Sequence, residues 1–278
     1  MSDYYDTPQW QNFLQHLGWW RGSFTSVAID GAIGQDTPPL VTLDGENDNR
    51  KVKQTVQRFP TDGSESQPIN LEYTTLNRGL VFADNGTFSF GSMQYSPFAQ
   101  FGGEFGFIEG DRRLRIVEMF EGGSFSSVTL IRERRDGTES SDRPDLTPDA
   151  LIGTWEGEAT TYYSDWRDAT TATSTLTISR SGDRLSQRLV SGSFQLESQA
   201  TIAGNCLNFP GRDGAPDRRI VLMPDGGSCN VPLSVPRDRP FFIEAGWLIS
   251  PTERLRAIRN YDNLGGWTTV TCVIERKV

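Results

Sequence analysis

The chain has 278 residues, of which 36% are hydrophobic and 23% are charged, and its formal net charge is −9. This composition is typical of a globular protein with one large domain or two small ones. The strong negative charge argues against nucleic-acid binding, which needs clustered Lys and Arg. Three cysteines without a C-x-x-C pair argue against a disulfide framework and against a zinc site.

The N-terminal residues MSDYYDTPQW show neither the basic start nor the apolar run of a signal peptide. The longest nearly apolar run, FFIEAGWLI, is about half as long as a membrane span and contains Glu244. We therefore expect a cytoplasmic protein without a membrane span. The sequence contains no phosphate-binding, dinucleotide-binding or metal-binding motif, so we expect no cofactor and no metal.

The first predicted element is a short helix after the Thr-Pro pair at residues 7 and 8. Thr7 is suited to the N-cap and Pro8 to the first helical position. The single histidine, His16, lies off the apolar stripe of this helix and is expected to face solvent. The stripe consists of Trp10, Phe13, Leu14 and Leu17.

The rest of the chain reads as short strands separated by turns. Residue triplets 84–86 and 225–227 supply Asp, Asn and Gly for tight hairpins. We find no long helix after residue 17, and many short antiparallel strands indicate a sandwich or a barrel. Alternation of branched and polar residues marks the segments KVKQTVQRF, SVTLIRER, TSTLTISR, RLSQRLVSG, ESQATIAG and TVTCVIER.

Two long segments look like copies of each other: RRLRIVEMFEGGSFSSVTLIRERR (112–135) and ERLRAIRNYDNLGGWTTVTCVIERK (253–277). Upstream, LVFADNGTFSF (80–90) aligns with VLMPDGGSCNV (221–231). Both halves also begin with Thr-Pro, a short helix and Gly-x-Trp. Three matches in the same order indicate an internal duplication.

The duplication predicts two domains, residues 1–135 and 147–278, joined by a polar linker at 136–146. Each domain is predicted to be all-β, with a short helix before an antiparallel barrel. A closed barrel would remove the exposed strand edges that favour aggregation.

A Gly-x-Trp motif after a short helix, together with an Arg on the last strand, resembles the calycin, or lipocalin-like, barrel. The motifs here are Gly18-Trp19-Trp20 and Gly153-Thr154-Trp155. In that family the Arg lies over the Trp and closes the base of the barrel. The resemblance therefore implies a structural role for Arg134 over Trp20 and for Arg276 over Trp155, through a cation–π contact.

A closer resemblance covers nearly the whole chain. The segments NGTFSFGS, FGGEFGFIEGDRRLRIVEMFEGG, VTLIRER and EAGWLISPTERLRAIRNYDNLGGW resemble a cyanobacterial and plastid family of unknown function with two tandem lipocalin-like domains. Calycin relatives of that family include phycobiliprotein chromophore lyases. Tandem lipocalin-like folds also occur in carotenoid hydratases and in cyclases of polyene natural products.

This resemblance implies that a barrel cavity binds, and in some cases modifies, a hydrophobic or amphipathic small molecule such as a bilin, carotenoid, terpenoid or fatty acid. The rival interpretation is a cofactor-independent enzyme: a cyclase, isomerase or lyase acting on a polyene, terpenoid or pigment. In a third interpretation the barrels are filled with side chains and the surface binds a protein partner.

The strands at 114–121 and 255–262 each carry one charge on an otherwise apolar face. A buried charge is costly unless it is paired, so each charge is either part of an internal salt bridge or a polar anchor for a ligand. The opposite faces, with Val117 and Ile258, are the alternative candidates for the inward side. The two apolar faces consist of Leu114, Ile116, Glu118 and Phe120, and of Leu255, Ala257, Arg259 and Tyr261.

We predict the ligand site in the C-terminal barrel, lined by Trp247, Arg259 and Tyr261, with Glu244 on the preceding strand. Arg259 would hold a carboxylate through paired hydrogen bonds. For a neutral polyene substrate the prediction moves to Glu118 as the catalytic acid, because burial raises the pKa of a carboxyl group.

Overall fold

Nearly all regular structure is β in the computed structural model, which describes residues 3–64 and 66–278. The first half contains a 3₁₀ turn (Tyr4–Asp6), helix α1 (Pro8–Leu14) and strands β1 (Gly18–Val27), β2 (Ile33–Thr37), β3 (Pro39–Glu46), β4 (Lys51–Arg58), β5 (Ile69–Tyr73), β6 (Leu80–Phe82), β7 (Phe88–Gly91), β8 (Phe101–Glu109), β9 (Arg112–Glu121) and β10 (Ser124–Arg135).

The second half contains helix α2 (Pro148–Leu151), strands β11 (Gly153–Tyr163), β12 (Thr170–Ser181), β13 (Arg184–Ser191), β14 (Phe194–Ala203), β15 (Cys206–Phe209) and β16 (Arg218–Leu222), a 3₁₀ turn (Pro224–Gly226), and strands β17 (Gly227–Pro232), β18 (Phe241–Ser250), β19 (Glu253–Tyr261) and β20 (Trp267–Lys277). The prediction of an all-β chain with two tandem lipocalin-like barrels is confirmed.

The two barrels differ in closure. Strands β11 to β20 pair in chain order, and β20 pairs with β11, so the C-terminal barrel is closed. The N-terminal strands follow the same neighbour order from β6 through β10 to β1 and on to β3, β4 and β5, while β2 pairs with β1. No pairing joins β5 to β6 among the described strands, whereas β15 joins β14 to β16 in the second half. The N-terminal barrel is therefore open at this position.

Both halves pass from helix to first strand through a glycine. Gly18 has a φ of 121° and Gly153 a φ of 132°, values that favour glycine because side chains clash there. The turn directs Trp20 and Trp155 into their barrels, where both are fully buried. Each indole Nε1 donates to a backbone carbonyl four residues earlier, at 3.0 Å and 2.9 Å.

Helix α1 packs its predicted apolar stripe against the open barrel, and Trp10 is fully buried. The prediction that His16 faces solvent is wrong, because its side chain is 2% exposed. The helix ends at Leu14, so the helical period no longer decides where residue 16 points. The imidazole packs against Phe82 and Phe88, with ring centroids 5.2 Å apart in both cases.

The largest of the three hydrophobic clusters lies between the barrels. It is formed by one face of β8, β9 and β10 packed against β17, β18 and β19. The two smaller clusters lie inside the barrels, near their tryptophans. Strands in this contact are buried on both faces, so their hydrophobicity does not reveal which face points into a barrel.

The segment that connects the barrels is also docked. Asp225, fully buried in the C-terminal half, accepts a hydrogen bond from Nη2 of Arg112 on β9 at 2.7 Å. Its other oxygen accepts from the backbone N–H of Arg143 at 2.6 Å. The guanidinium of Arg143 lies 4.3 Å from the ring of Trp247. One carboxylate thus links both barrels and their connection.

Candidate functional site

The open N-terminal barrel contains a cavity of about 460 Å³. A second hollow of about 340 Å³ adjoins it along β7, β8 and β9, sharing Phe90 and Glu104 with the first. This size and the mainly apolar lining are typical of a small-molecule site. The apolar lining of the main cavity consists of Phe13, Leu43, Leu71, Leu80, Phe82, Phe88 and Phe90.

The floor of this cavity is a network of two arginines and two glutamates. The fully buried Glu133 accepts from Nε of Arg113 at 2.7 Å, and from Nε and Nη2 of Arg115 at 3.0 Å each. Arg115 also donates from Nη1 to Glu104 at 2.8 Å. Burial raises the pKa of Glu133, but the two guanidinium groups outweigh it and lower this pKa to about 2. The four formal charges cancel.

Arg113 is the member of the network with donor capacity left over. Its Nη2 is buried and has no hydrogen-bond partner in the part of the chain that the structure describes. Burial lowers the pKa of Arg113 more than Glu133 raises it, yet an arginine stays protonated at neutral pH. A buried donor without a partner is costly, so an acceptor supplied by a ligand would relieve that cost.

A neutral imidazole lies on the same floor. Burial, Arg113 and Arg115 hold the pKa of His16 well below its ordinary value. Within residues 3–64 and 66–278, Nε2 of His16 has no hydrogen-bond partner. The floor therefore offers a guanidinium donor that suits a carboxylate or carbonyl oxygen, and beside it a neutral imidazole, which has one N–H donor and one nitrogen acceptor.

The C-terminal barrel repeats this network in a different setting. Glu275 accepts from Nε of Arg254 at 2.7 Å and from Nη1 of Arg256 at 2.8 Å. Arg256 also pairs with Glu244 at 2.6 Å, as Arg115 pairs with Glu104. Here apolar side chains from β12 to β16 pack around Trp155 and fill this end of the barrel.

The residues predicted to line a C-terminal cavity do not do so. Trp247, Arg259 and Tyr261 are fully buried between the two barrels, because their strand faces point away from the barrel interior. Trp247 donates from Nε1 to the backbone carbonyl of Asp225 at 2.8 Å. Glu244 does point into the barrel, where it belongs to the floor network.

Glu118, predicted as a catalytic acid, lies in the same core between the barrels. It is fully buried, and neither carboxyl oxygen has a hydrogen-bond partner among the described residues. Burial raises its pKa well above the ordinary value, with a further rise from Glu244 and a partial offset from Arg218. Glu118 lines neither hollow of the open barrel, so it is not placed to reach a substrate there.

Arg134 and Arg276, predicted to cover Trp20 and Trp155, are both exposed and point away from the rings. Successive side chains of a strand point to opposite faces, so the residue one position later is the one that faces the barrel. The cations over the rings are Arg113 and Arg135 for Trp20, at 4.3 and 4.4 Å, and Arg254 and Lys277 for Trp155, at 5.1 and 4.7 Å.

The floor arginines had a visible signal in the sequence. Arg-Leu-Arg occurs in both copies, at 113–115 and 254–256, with the two arginines on the strand face opposite the apolar one. The prediction of the ligand site places the apolar face on the inward side. The structure instead has the alternative face inward, the one that Val117 and Ile258 mark.

The described residues contain no group of three His, Cys, Asp or Glu side chains that could hold a metal ion. Across the same residues, every helix is too short or too polar to cross a membrane.

Comparison with known proteins assigns the chain to a family. Residues 6–138 match the profile of the N-terminal part of DUF3598, a domain of unknown function. A crystal structure of a DUF3598-family protein of unknown function from Nostoc punctiforme is 38% identical, with a TM-score of 0.91 over 98% of this chain and 100% of that one. The chain belongs to the DUF3598 family.

Residues 142–278 of this DUF3598 protein match the profile of the C-terminal domain of Biogenesis factor required for ATP synthase 1. An S-type phycobiliprotein lyase from Guillardia theta is 12% identical, with a TM-score of 0.39 over 47% of this chain and 90% of that chain. No curated protein matches the chain.

Proposed function

We propose that the N-terminal cavity binds an amphipathic small molecule with an acidic or carbonyl head group, such as a fatty acid, a terpenoid acid or a bilin. The observation that carries this proposal is Arg113, which lines the floor of an otherwise apolar cavity and whose buried Nη2 has no hydrogen-bond partner among the described residues. The ligand's head group would accept from Arg113, and its apolar body would lie against Phe82 and Phe88. The opening between β5 and β6 would let it enter.

The electrostatics of the floor favour a head group with a single acidic or carbonyl group over one with several negative charges. Arg115 is already paired with Glu133 and Glu104, so Arg113 is the cation with a donor to spare. A hydrogen bond to a charged group contributes about 1.5–3 kcal/mol. Its loss therefore corresponds to roughly a tenfold to hundredfold change in affinity.

The test is a fluorescence titration with cis-parinaric acid, a polyene fatty acid. We expect Arg113→Met to weaken binding by about tenfold to a hundredfold, because the head group loses its donor. Arg135→Met is the matched control: it removes the other guanidinium over Trp20 without touching the cavity lining. Equal affinities for the two variants, or wild-type affinity in Arg113→Met, would contradict the proposal.

A second candidate function is participation in the biogenesis of ATP synthase, the process named in the profile that matches residues 142–278. Two large apolar side chains suited to a protein contact are strongly exposed, Phe98 at 97% and Leu264 at 76%. They lie on adjacent loops of the two barrels, since Nε2 of Gln94 donates to the carbonyl of Leu264 at 2.7 Å.

This second candidate is tested by deleting the gene in the native host and measuring assembled ATP synthase. We expect Arg113→Met to restore assembly and the double variant Phe98→Ser/Leu264→Ser to fail. Normal assembly in the deletion strain would exclude this function. If Arg113→Met fails to restore assembly and the double variant restores it, assembly depends on the cavity instead of on the exposed side chains.

A further inference from the structure

Arg259 spans the contact between the barrels and binds backbone of the other half. The side chain is fully buried; Nη1 donates to the carbonyl of Gly79 at 3.0 Å and Nη2 to the carbonyl of Gly91 at 3.2 Å. Its Nε lies 3.0 Å from the hydroxyl of Tyr261, and its guanidinium lies 4.3 Å from the ring of Trp267. Among the described residues, no carboxylate forms a salt bridge with it.

The two carbonyls belong to one wall of the N-terminal cavity. Gly79 directly precedes β6 and Gly91 ends β7, so one planar guanidinium joins the two strands at the same end of their hairpin. Tyr261 adds a third bond, from its hydroxyl to the carbonyl of Ser92 at 3.0 Å. The inward side chains of this hairpin line the cavity: Leu80, Phe82, Phe88 and Phe90.

The sheet itself holds this wall weakly. Strand β6 has three residues, and its outer edge has no strand partner in the described chain. A side chain substitutes for that strand: Gln9 donates to the carbonyl of Phe82 at 2.9 Å and accepts from its N–H at 2.8 Å. On its other side the hairpin is held by β8, which pairs with all four residues of β7, and its end at Gly79 and Gly91 is held in addition by Arg259 and Tyr261 of the other barrel.

The contact of Arg259 with the hairpin buries a charge and brings its guanidinium close to the backbone of Gly91. A buried guanidinium without a carboxylate is costly, and here its donors are satisfied only while the β6–β7 hairpin is in place. A Cβ at Gly91 would lie 2.9 Å from Nε of Arg259 and 3.0 Å from the carbonyl oxygen of Gly102, so the packing around β7 leaves no room for a side chain there. All of the hydrogen bonds of this guanidinium go to the hairpin or to Tyr261, so its bonding indicates a role in positioning the hairpin.

We propose that Arg259 is a positioning residue that holds the β6–β7 wall, so that the C-terminal barrel controls the affinity of an N-terminal cavity it does not line. The ligand part of this inference rests on the proposed function of the cavity. By linkage, a ligand that needs the ordered wall strengthens the hold of Arg259 by the same factor.

The first test measures amide hydrogen exchange in the full chain without ligand. In Arg259→Met we expect exchange at residues 80–82 and 88–91 to accelerate by about tenfold or more, because two charge-assisted hydrogen bonds to the hairpin are lost. Trp247→Phe is the matched control, since it alters the same core but does not touch the hairpin. Unchanged exchange in the hairpin, or equal acceleration across the whole core, would overturn the proposal.

The second test measures affinity for cis-parinaric acid in the same variants. We expect weaker binding in Arg259→Met and wild-type binding in Trp247→Phe, although neither residue lines the cavity. Faster hairpin exchange with unchanged affinity would overturn the coupling. If the wild-type protein does not bind the acid, the proposed function fails, and exchange alone decides the role of Arg259.

A second variant keeps the test decisive if Arg259→Met does not fold. Gly91→Ala leaves Arg259 in place and inserts one methyl group between it and the hairpin. We expect the same local pattern of faster exchange. Wild-type exchange in Gly91→Ala would show that the close approach is dispensable and would overturn the proposal.

Discussion

The N-terminal and C-terminal barrels share a floor and differ in their walls. In each floor one arginine lies over the buried tryptophan, and this arginine and a second one on the same strand bond a glutamate of the next strand. The second arginine also bonds a glutamate of the neighbouring strand. In the C-terminal barrel β15 closes the wall and apolar side chains fill the base. In the N-terminal barrel β5 and β6 stay apart, and a cavity lies above the network.

One charged floor can therefore serve two purposes. Where the barrel is filled, every guanidinium of the network bonds to carboxylates, and the network is structural. Where the barrel is open, one arginine faces the cavity and keeps a donor without a protein partner among the described residues. The wall strands, not the floor residues, decide which situation applies.

The largest expected effect comes from removing the central glutamate of a floor. We expect Glu275→Gln to lower the free energy of unfolding by about 3–5 kcal/mol, because it breaks a buried ion pair and leaves Arg254 uncompensated. Glu133→Gln should cost less, because the second ion pair of its floor is closer to solvent: the side chain of Glu104 is 26% exposed and that of Glu244 is 10% exposed. Urea unfolding followed by circular dichroism measures both losses.

The matched control for these variants is Glu253→Gln. Glu253 pairs with Arg276 at 3.5 Å on the surface, and exposed pairs contribute at most about 1 kcal/mol. A loss in Glu133→Gln equal to or greater than that in Glu275→Gln would break the comparison between the two floors.

The next effect concerns Glu118, which belongs to neither floor. The folded-state pKa of Glu118 is raised above its unfolded value of about 4.3. Below the unfolded pKa the side chain is protonated in both states and burying it costs no charge. Between the two pKa values the free energy of unfolding falls as pH rises, because the folded protein must either keep a buried carboxyl group protonated or ionise it. Glu118→Leu removes this penalty. We expect its stability gain over wild type to be larger at pH 8 than at pH 4.

Urea unfolding at the two pH values checks this expectation. Glu121→Leu, an exposed position on the same strand, should show no such pH-dependent gain. A gain for Glu118→Leu that is the same at pH 4 and pH 8 would show that Glu118 is ionised in the folded protein.

The smallest effect separates two neighbouring arginines of β10. Arg135 lies over Trp20 at 4.4 Å and donates to the carbonyl of Leu17 at 2.9 Å. We expect Arg135→Met to cost about 1–2 kcal/mol and Arg134→Met to change stability by less than about 0.5 kcal/mol. Thermal unfolding measures both losses. A larger loss in Arg134→Met than in Arg135→Met would show that Arg134 is the residue that covers Trp20.

Several features of the fold could be read from the sequence because they depend on local patterns. Gly18 and Gly153 mark a backbone turn that other residues rarely adopt, so Gly-x-Trp locates the start of each barrel. Alternating apolar and polar residues predict the strands, and similar segments in the same order in both halves predict the duplication. The same patterns also placed Arg113 and Arg115 on one strand face, although that face was not recognised as the inward one.

Local patterns in the sequence are thus enough to predict the all-β class, the tandem architecture and the membership of each strand face. The tertiary structure alone decided which face points into a barrel and whether β5 meets a neighbour. Alternation along a strand assigns its residues to two faces but does not show which face points into the barrel. Here the outer faces are as apolar as a core, because the two barrels pack against each other. Glu118 and Arg259 consequently lie between the barrels, and the arginines opposite Leu114 form the floor of the cavity.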